Sequence, residues 1–114
     1  MRLVREETPI HTVGIGKVLS AGVLLLAAGT KGERRIGKNC RLMLHRVLTG
    51  ESGSLHSIQA SVKEAEIIEH MMFEALVEET NLTMKQVKKI VSKNLDAYFS
   101  AEEAVEMGIA DIIV

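Results

Sequence analysis

The apolar positions change period repeatedly along the chain, and each change marks an element. From Ile10 to Val18, β-branched residues and small glycines with little charge follow Pro9, which predicts one buried strand. Leu19 to Ala28 is almost continuously apolar and rich in alanine. It is closed by Gly29 at a helix-stop position and by the polar run Thr30 to Arg34. The predicted order is strand, sharp turn, buried helix. Glu33 to Ile36 and Arg41 to His45 are short apolar runs separated by Gly37-Lys38-Asn39, so two strands joined by a turn are expected.

From Ser57 to about Thr80, the residues Ile58, Val62, Ala65, Ile68, Met72 and Leu76 recur at helical spacing. This predicts a long amphipathic helix that extends beyond the body of the domain. Thr83 with Gln86, and Ser100 with Glu103, match the capping box, in which a hydroxyl and a side chain three residues later satisfy free backbone N–H groups. Two short helices begin there. The second stops at Gly108, and Ile109 to Val114 reads as a terminal strand of the fully buried type. Strands alternating with helices predict a single α/β domain over residues 1–114, with active groups gathered at strand ends.

Composition narrows the function. The 14 basic and 15 acidic residues are interspersed, and with two Phe, one Tyr and no Trp there is neither a basic footprint nor a stacking platform for nucleic acid. Val18 to Ala28 is too short to span a membrane, and Met1 to Glu7 carries charges unlike a signal peptide. The single Cys40 has no disulfide partner, so it reads as a small buried thiol in a reducing, cytoplasmic setting. His11, His56 and His70 lack metal-site spacing, and no metal or organic cofactor is expected. Gly14-Ile15-Gly16-Lys17 lacks the rest of a phosphate loop and reads as a buried strand end. Met71 and Met72 on the long helix read as packing between subunits.

Three residues stand where chemistry is possible. Ser20 sits between a strand and a buried helix, where backbone N–H groups and the helix dipole favour a nucleophile, although a serine there is most often an N-cap. The N–H of Ala21 is a candidate oxyanion donor, and Gly22 leaves room for substrate. His45 ends an apolar strand, as suits a general base, yet a lone histidine is usually packed or solvated. Asp96, read as lying between two helices, is a candidate orienting acid or an ordinary turn residue.

The segments VLSAGVLLLAAG (18–29), RLMLH (41–45) and DAYFSAEEAVEMGIAD (96–111) resemble, in order and separation, the serine, histidine and aspartate motifs of the Clp protease proteolytic subunit family. The resemblance runs from about Pro9 to Val114, with residues 1–8 outside it. It implies the Clp/crotonase-like spiral fold, with the long helix as a protruding handle in the 49–80 region. It implies Ser20 as nucleophile, His45 as base, Asp96 as orienting acid and Ala21 as half of the oxyanion hole. Thr49 to Leu55 matches the segment that pairs with extended peptide substrate. The implied protein is a serine endopeptidase subunit assembled in rings, acting on peptides or unfolded proteins, with ATP used only by a partner AAA+ unfoldase.

Two departures stand out. Arg46-Val47 follows the histidine where the family usually has Gln-Pro, and Leu95 stands where an arginine commonly serves contacts between rings. The family's Pro-Gly-Gly segment, whose glycine N–H completes the oxyanion hole, has no counterpart before Ile10. The expectation is an incomplete fold whose companion chain supplies the N-terminal half. The alternatives are a catalytically impaired structural subunit of a mixed ring and a crotonase-type acyl-CoA enzyme.

Overall fold

A computed structural model describes residues 1–47, 50, 52–92 and 95–114. In chain order the elements are α1 (Arg2–Glu7), β1 (Thr12–Gly14), β2 (Lys17–Leu19), α2 (Ala21–Ala27), β3 (Arg34–Ile36), β4 (Arg41–Leu44), α3 (Leu55–Glu79), α4 (Met84–Ile90), β5 (Ala97–Phe99), α5 (Ala101–Glu106) and β6 (Ile112–Ile113). The strands form two small sheets, β1-β3-β6 and β2-β4-β5, a mixed α/β architecture. Every pairing is parallel except β4 with β5.

The single strand expected over Ile10 to Val18 is two strands in two different sheets. Gly16 has φ +75°, a conformation that side chains with a Cβ rarely adopt, and it turns the chain from β1 to β2. Ile15-Gly16 is therefore a bend between sheets, and of the expected buried strand end only Gly14, the last residue of β1, is buried. Val13 is 54% and Ile15 76% exposed, so most of the run is not buried. The apolar pattern registers hydrophobicity but not the cover that only other segments provide.

The terminal strand differs for the same reason. Ile112 and Ile113 are each 39% exposed, because β6 pairs only with β3 at the sheet edge. A third correction concerns the connection expected between two helices before Ser100. Ala97, Tyr98 and Phe99 form β5, antiparallel to β4, a strand too short to display a period of two.

Both capping boxes form. Thr83 Oγ1 accepts from Gln86 N–H at 3.2 Å while Gln86 Oε1 accepts from Thr83 N–H at 2.8 Å. Ser100 and Glu103 repeat the arrangement at 3.2 and 3.1 Å. Replacing Thr83 by alanine removes one partner of the reciprocal pair, and chemical denaturation should register a loss of about 1 kcal/mol. Gly108, with φ +75°, follows the C-cap of α5, and a Cβ there would meet Asn81 N at 2.9 Å. The turn requires glycine.

Val23, Ile36, Leu42, Val87 and Ile109 are the fully buried centre, contributed by α2, both sheets, α4 and the segment after α5. Helix α3 joins this core only through its last part, since its buried residues are Phe73, Leu76 and Glu79. Its apolar stripe stays open toward the N-terminus, with Val62 44% and Ile68 43% exposed. The radius of gyration, 15.4 Å, exceeds the roughly 13 Å of a compact domain this long.

Helix α1 was not foreseen, since none of its residues is buried. Arg2 and Arg5 hold it: Arg5 Nη1 donates to Glu79 Oε2 at 2.7 Å and to Ala28 O at 2.8 Å, and Arg2 Nε donates to Glu79 Oε1 at 3.0 Å. Arg2 also pairs with Glu78. These hydrogen bonds, Arg5's foremost, hold the buried Glu79 carboxyl below the usual carboxylate range.

Candidate active site

The junction between β2 and α2 carries the strain that sequence position alone only suggested. Ser20 has φ 54° and ψ −118°, and among the described residues it is the only non-glycine with positive φ. Its N–H donates to Met43 O at 2.8 Å, and its carbonyl accepts from Val23 N–H at 3.0 Å. Those bonds fix a backbone conformation that costs on the order of 1–3 kcal/mol. Ser20 occupies the N-cap position, yet its side chain makes no cap hydrogen bond. The hydroxyl is thus not consumed by the helix, as an ordinary capping serine's would be.

Pairing registers bring the other two candidates to the same edge. Strand β4 lies between β2 and β5, with Leu19 opposite Met43 and Leu44 opposite Ala97. One step past the ends of β2 and β4 come Ser20 and His45. One step before β5 comes Asp96, so continuing the β4–β5 register sets Asp96 against His45. Parallel strands end on the same side and an antiparallel neighbour begins there. Residues 20, 45 and 96 therefore share one edge of one sheet. Ser20 and His45 are half-buried and Asp96 is exposed. Asp96 precedes a strand, where a connection between helices was expected.

Among the described residues no hydrogen bond joins Ser20 to His45 or His45 to Asp96. His45 Nδ1 instead meets the carbonyl of Arg46. Ala21 opens α2, and the first residue of a helix has no intrahelical carbonyl for its N–H. At Gly22 an added Cβ would meet only Val18 Cγ1, at an ordinary 3.6 Å. Thr49 and Glu51, in the segment expected to pair with peptide, lie outside the described residues.

An apolar hollow adjoins Ser20 and His45, walled by Leu24, Leu44, Met72 and Phe73. Its open volume is about 20 Å³, little more than one water. Met72 thus packs inward, and only Met71, 61% exposed, is free for the intersubunit contact expected of the pair. Cys40 is buried, and burial pushes its thiol pKa up, so it offers no thiolate. Among the described residues no group of three or more His, Cys, Asp or Glu is placed to hold a metal ion.

The model of the family described as Clp protease matches residues 1–114. This chain belongs to the Clp protease family. It is 35% identical over 105 residues to the ATP-dependent Clp protease proteolytic subunit 1 of Prochlorococcus marinus subsp. pastoris (strain CCMP1986 / NIES-2087 / MED4), covering 92% of this chain and 53% of that protein. It is 36% identical over 112 residues to the ATP-dependent Clp protease proteolytic subunit 2 of Corynebacterium jeikeium (strain K411), covering 97% and 52%. The chain spans about half the length of the curated relatives it matches. No helix of this Clp protease chain is long and apolar enough to cross a membrane, among the described residues.

Two features of this Clp protease chain have no clear mark in the sequence. The first is an open apolar hollow of about 560 Å³ between β1, β2 and α2, lined by Val13, Val18, Leu19 and Leu25. The second is Glu69, on α3, which accepts from Arg46 Nη2 at 2.8 Å and from Val47 N–H at 3.1 Å. Only the helical register of α3 hinted at it, since Glu69 lies four positions after Ala65 and four before the buried Phe73.

Proposed function

We propose that this chain forms the catalytic part of a Clp-type serine endopeptidase subunit. The observation that carries the reading is the shared sheet edge of Ser20, His45 and Asp96, where the strained Ser20 makes no side-chain cap hydrogen bond among the described residues. Ser20 Oγ attacks the peptide carbonyl carbon as its proton passes to His45 Nε2. The tetrahedral oxyanion is received by the Ala21 N–H. His45 returns the proton to the leaving amine, and water, activated by the same imidazole, hydrolyses the acyl-enzyme. Asp96 supports the imidazolium and accepts the hydrogen bond from His45 Nδ1–H when the site is assembled. The apolar hollow beside Ser20 favours an apolar substrate side chain, which must open it on entry.

One oxyanion donor is worth about 10²–10³ in rate. The second donor, together with the cover for the open hollow at Val13, Leu19 and Leu25, comes from polypeptide outside these 114 residues. A companion chain, or a further stretch of the same polypeptide, supplies it. The exposed stripe of α3 serves as the handle between subunits of stacked rings. Peptides or unfolded proteins are the substrates, an ATP-driven unfoldase delivers them, and this chain itself needs no cofactor.

A second reading, a catalytically silent subunit of a mixed ring, draws on the exposure of Asp96 and the engagement of His45 Nδ1 by Arg46. A fluorophosphonate probe separates the two in the assembled complex. Labelling that disappears in Ser20→Ala is the expected result. Absence of labelling in an assembly shown to be intact would leave only the structural role.

A further inference from the structure

The peptide unit between Arg46 and Val47 is held on both sides. Its N–H donates to Glu69 Oε2 at 3.1 Å, and its C=O meets His45 Nδ1. A trans peptide keeps those two groups in one plane and pointing in opposite directions, so whatever fixes the direction of the N–H also fixes the C=O. The Glu69 carboxylate is itself immobilised. Arg46 grips it through Nη2 at 2.8 Å and Nε at 3.3 Å, and the Glu69 side chain, on α3, is only 14% exposed.

A carbonyl oxygen can only accept, so the Nδ1 that meets it carries the hydrogen and Nε2 keeps its lone pair. That is the tautomer a general base needs toward a serine hydroxyl. We propose that Glu69 is a positioning residue for His45: through the 46–47 peptide it selects the Nδ1–H tautomer without touching the imidazole. The inference rests on the reading of His45 as general base. It explains a departure noted in the sequence. A proline at position 47 would have no N–H to offer, so Val47 makes the grip possible and Arg46 supplies the guanidinium that holds the carboxylate. When Asp96 takes the place of the Arg46 carbonyl, the tautomer is unchanged, because both accept from the same nitrogen.

The test is the imidazole nitrogen spectrum of the full chain labelled with ¹⁵N-histidine, recorded at about pH 8 where histidine is neutral. The wild type should show His45 as Nδ1–H with a bare Nε2. Glu69→Ala should lose that pattern and move toward the Nε2–H form that free imidazole side chains prefer, with the other histidines unmoved. Glu69→Gln, whose amide oxygen still accepts from Val47, should retain it. Val47→Pro removes the donor and leaves Glu69 in place, so it should lose the pattern as well and carries the test if Glu69→Ala fails to fold. An unaltered His45 pattern in Glu69→Ala, or in Val47→Pro where that variant alone folds, overturns the proposal. The readout needs no turnover, so fluorophosphonate labelling of His45→Ala judges the catalytic reading separately.

Discussion

Ser20→Ala in the assembled protease should lower kcat by about 10⁴-fold or more, because residues that act as one nucleophilic unit lose nearly everything when one is removed. The substitution leaves the N–H bond to Met43 O and the carbonyl bond from Val23 untouched, since both are made by backbone. The strained φ of 54° therefore persists, and the thermal midpoint should stay near the wild-type value. Ser20→Gly tests the strain itself. Glycine adopts positive φ freely, so this variant should be equally inactive and no less stable, with relief of strain set against the added chain entropy. Peptide hydrolysis is the first measurement and the melting temperature the second. Activity within tenfold of wild type in Ser20→Ala would end the nucleophile assignment, however the stability behaved.

The largest stability effect is expected at Asp111. Its carboxylate takes Arg34 on both oxygens, Nη2 to Oδ1 at 2.7 Å and Nε to Oδ2 at 2.8 Å, and also accepts the Gly32 N–H at 2.7 Å. Arg34 is 3% exposed, and its Nη1 donates to the carbonyls of Ala27 and Glu79 at 3.0 and 2.9 Å. Those are the last residues of α2 and α3, so one buried cation closes the negative ends of two helices. Removing the carboxylate strands that cation. Asp111→Ala should cost about 3 kcal/mol, the low end for a broken buried pair because Asp111 keeps 23% of its side-chain surface in water.

The same node sets an acid limit. Arg34's hydrogen bond, ahead of the backbone N–H groups of Gly32 and Arg34, lowers the Asp111 pKa from 3.8 to about 2. The folded state therefore binds fewer protons than the unfolded state between those values, and stability rises with pH across that window. The contribution, about 2 kcal/mol, is complete above pH 3.8 and is lost as pH falls through 2. Asp111→Asn should flatten this part of the pH–stability curve, read as melting temperature from pH 5 down to 2. A wild-type slope unchanged in the variant would place the acid sensitivity elsewhere.

Arg34 shows why some of the structure could not be read along the chain. In sequence it belongs to the polar run Thr30 to Arg34 that closes a helix, and nothing local separates a solvated arginine from a buried one. Its partners Glu79 and Asp111 lie 45 and 77 residues away. Glu69 is the same kind of case, meeting Val47 across 22 residues. Strand β5 failed for a different reason, since three residues opposite β4 acquire strand character from their partner and not from their own pattern. By contrast, the capping boxes at Thr83 and Ser100 and the stop at Gly108 were legible, because each is settled within a few consecutive residues.

The turn at Ser20 lies between these cases. The strand-to-helix boundary, the apolar helix after it and the similarity to a protease family were all written in order along the chain. By itself the sequence determined the local elements, their caps and the family, because those depend on neighbouring residues and on motifs that are one-dimensional. Only the tertiary structure decided that β4 separates β2 from β5, that the edge they share carries Ser20, His45 and Asp96, and that His45 faces the carbonyl of Arg46. The first two outcomes depend on pairing between distant strands, where a register one residue different would turn each side chain to the opposite face, and the third goes with the reach of Glu69 to the Val47 N–H across 22 residues.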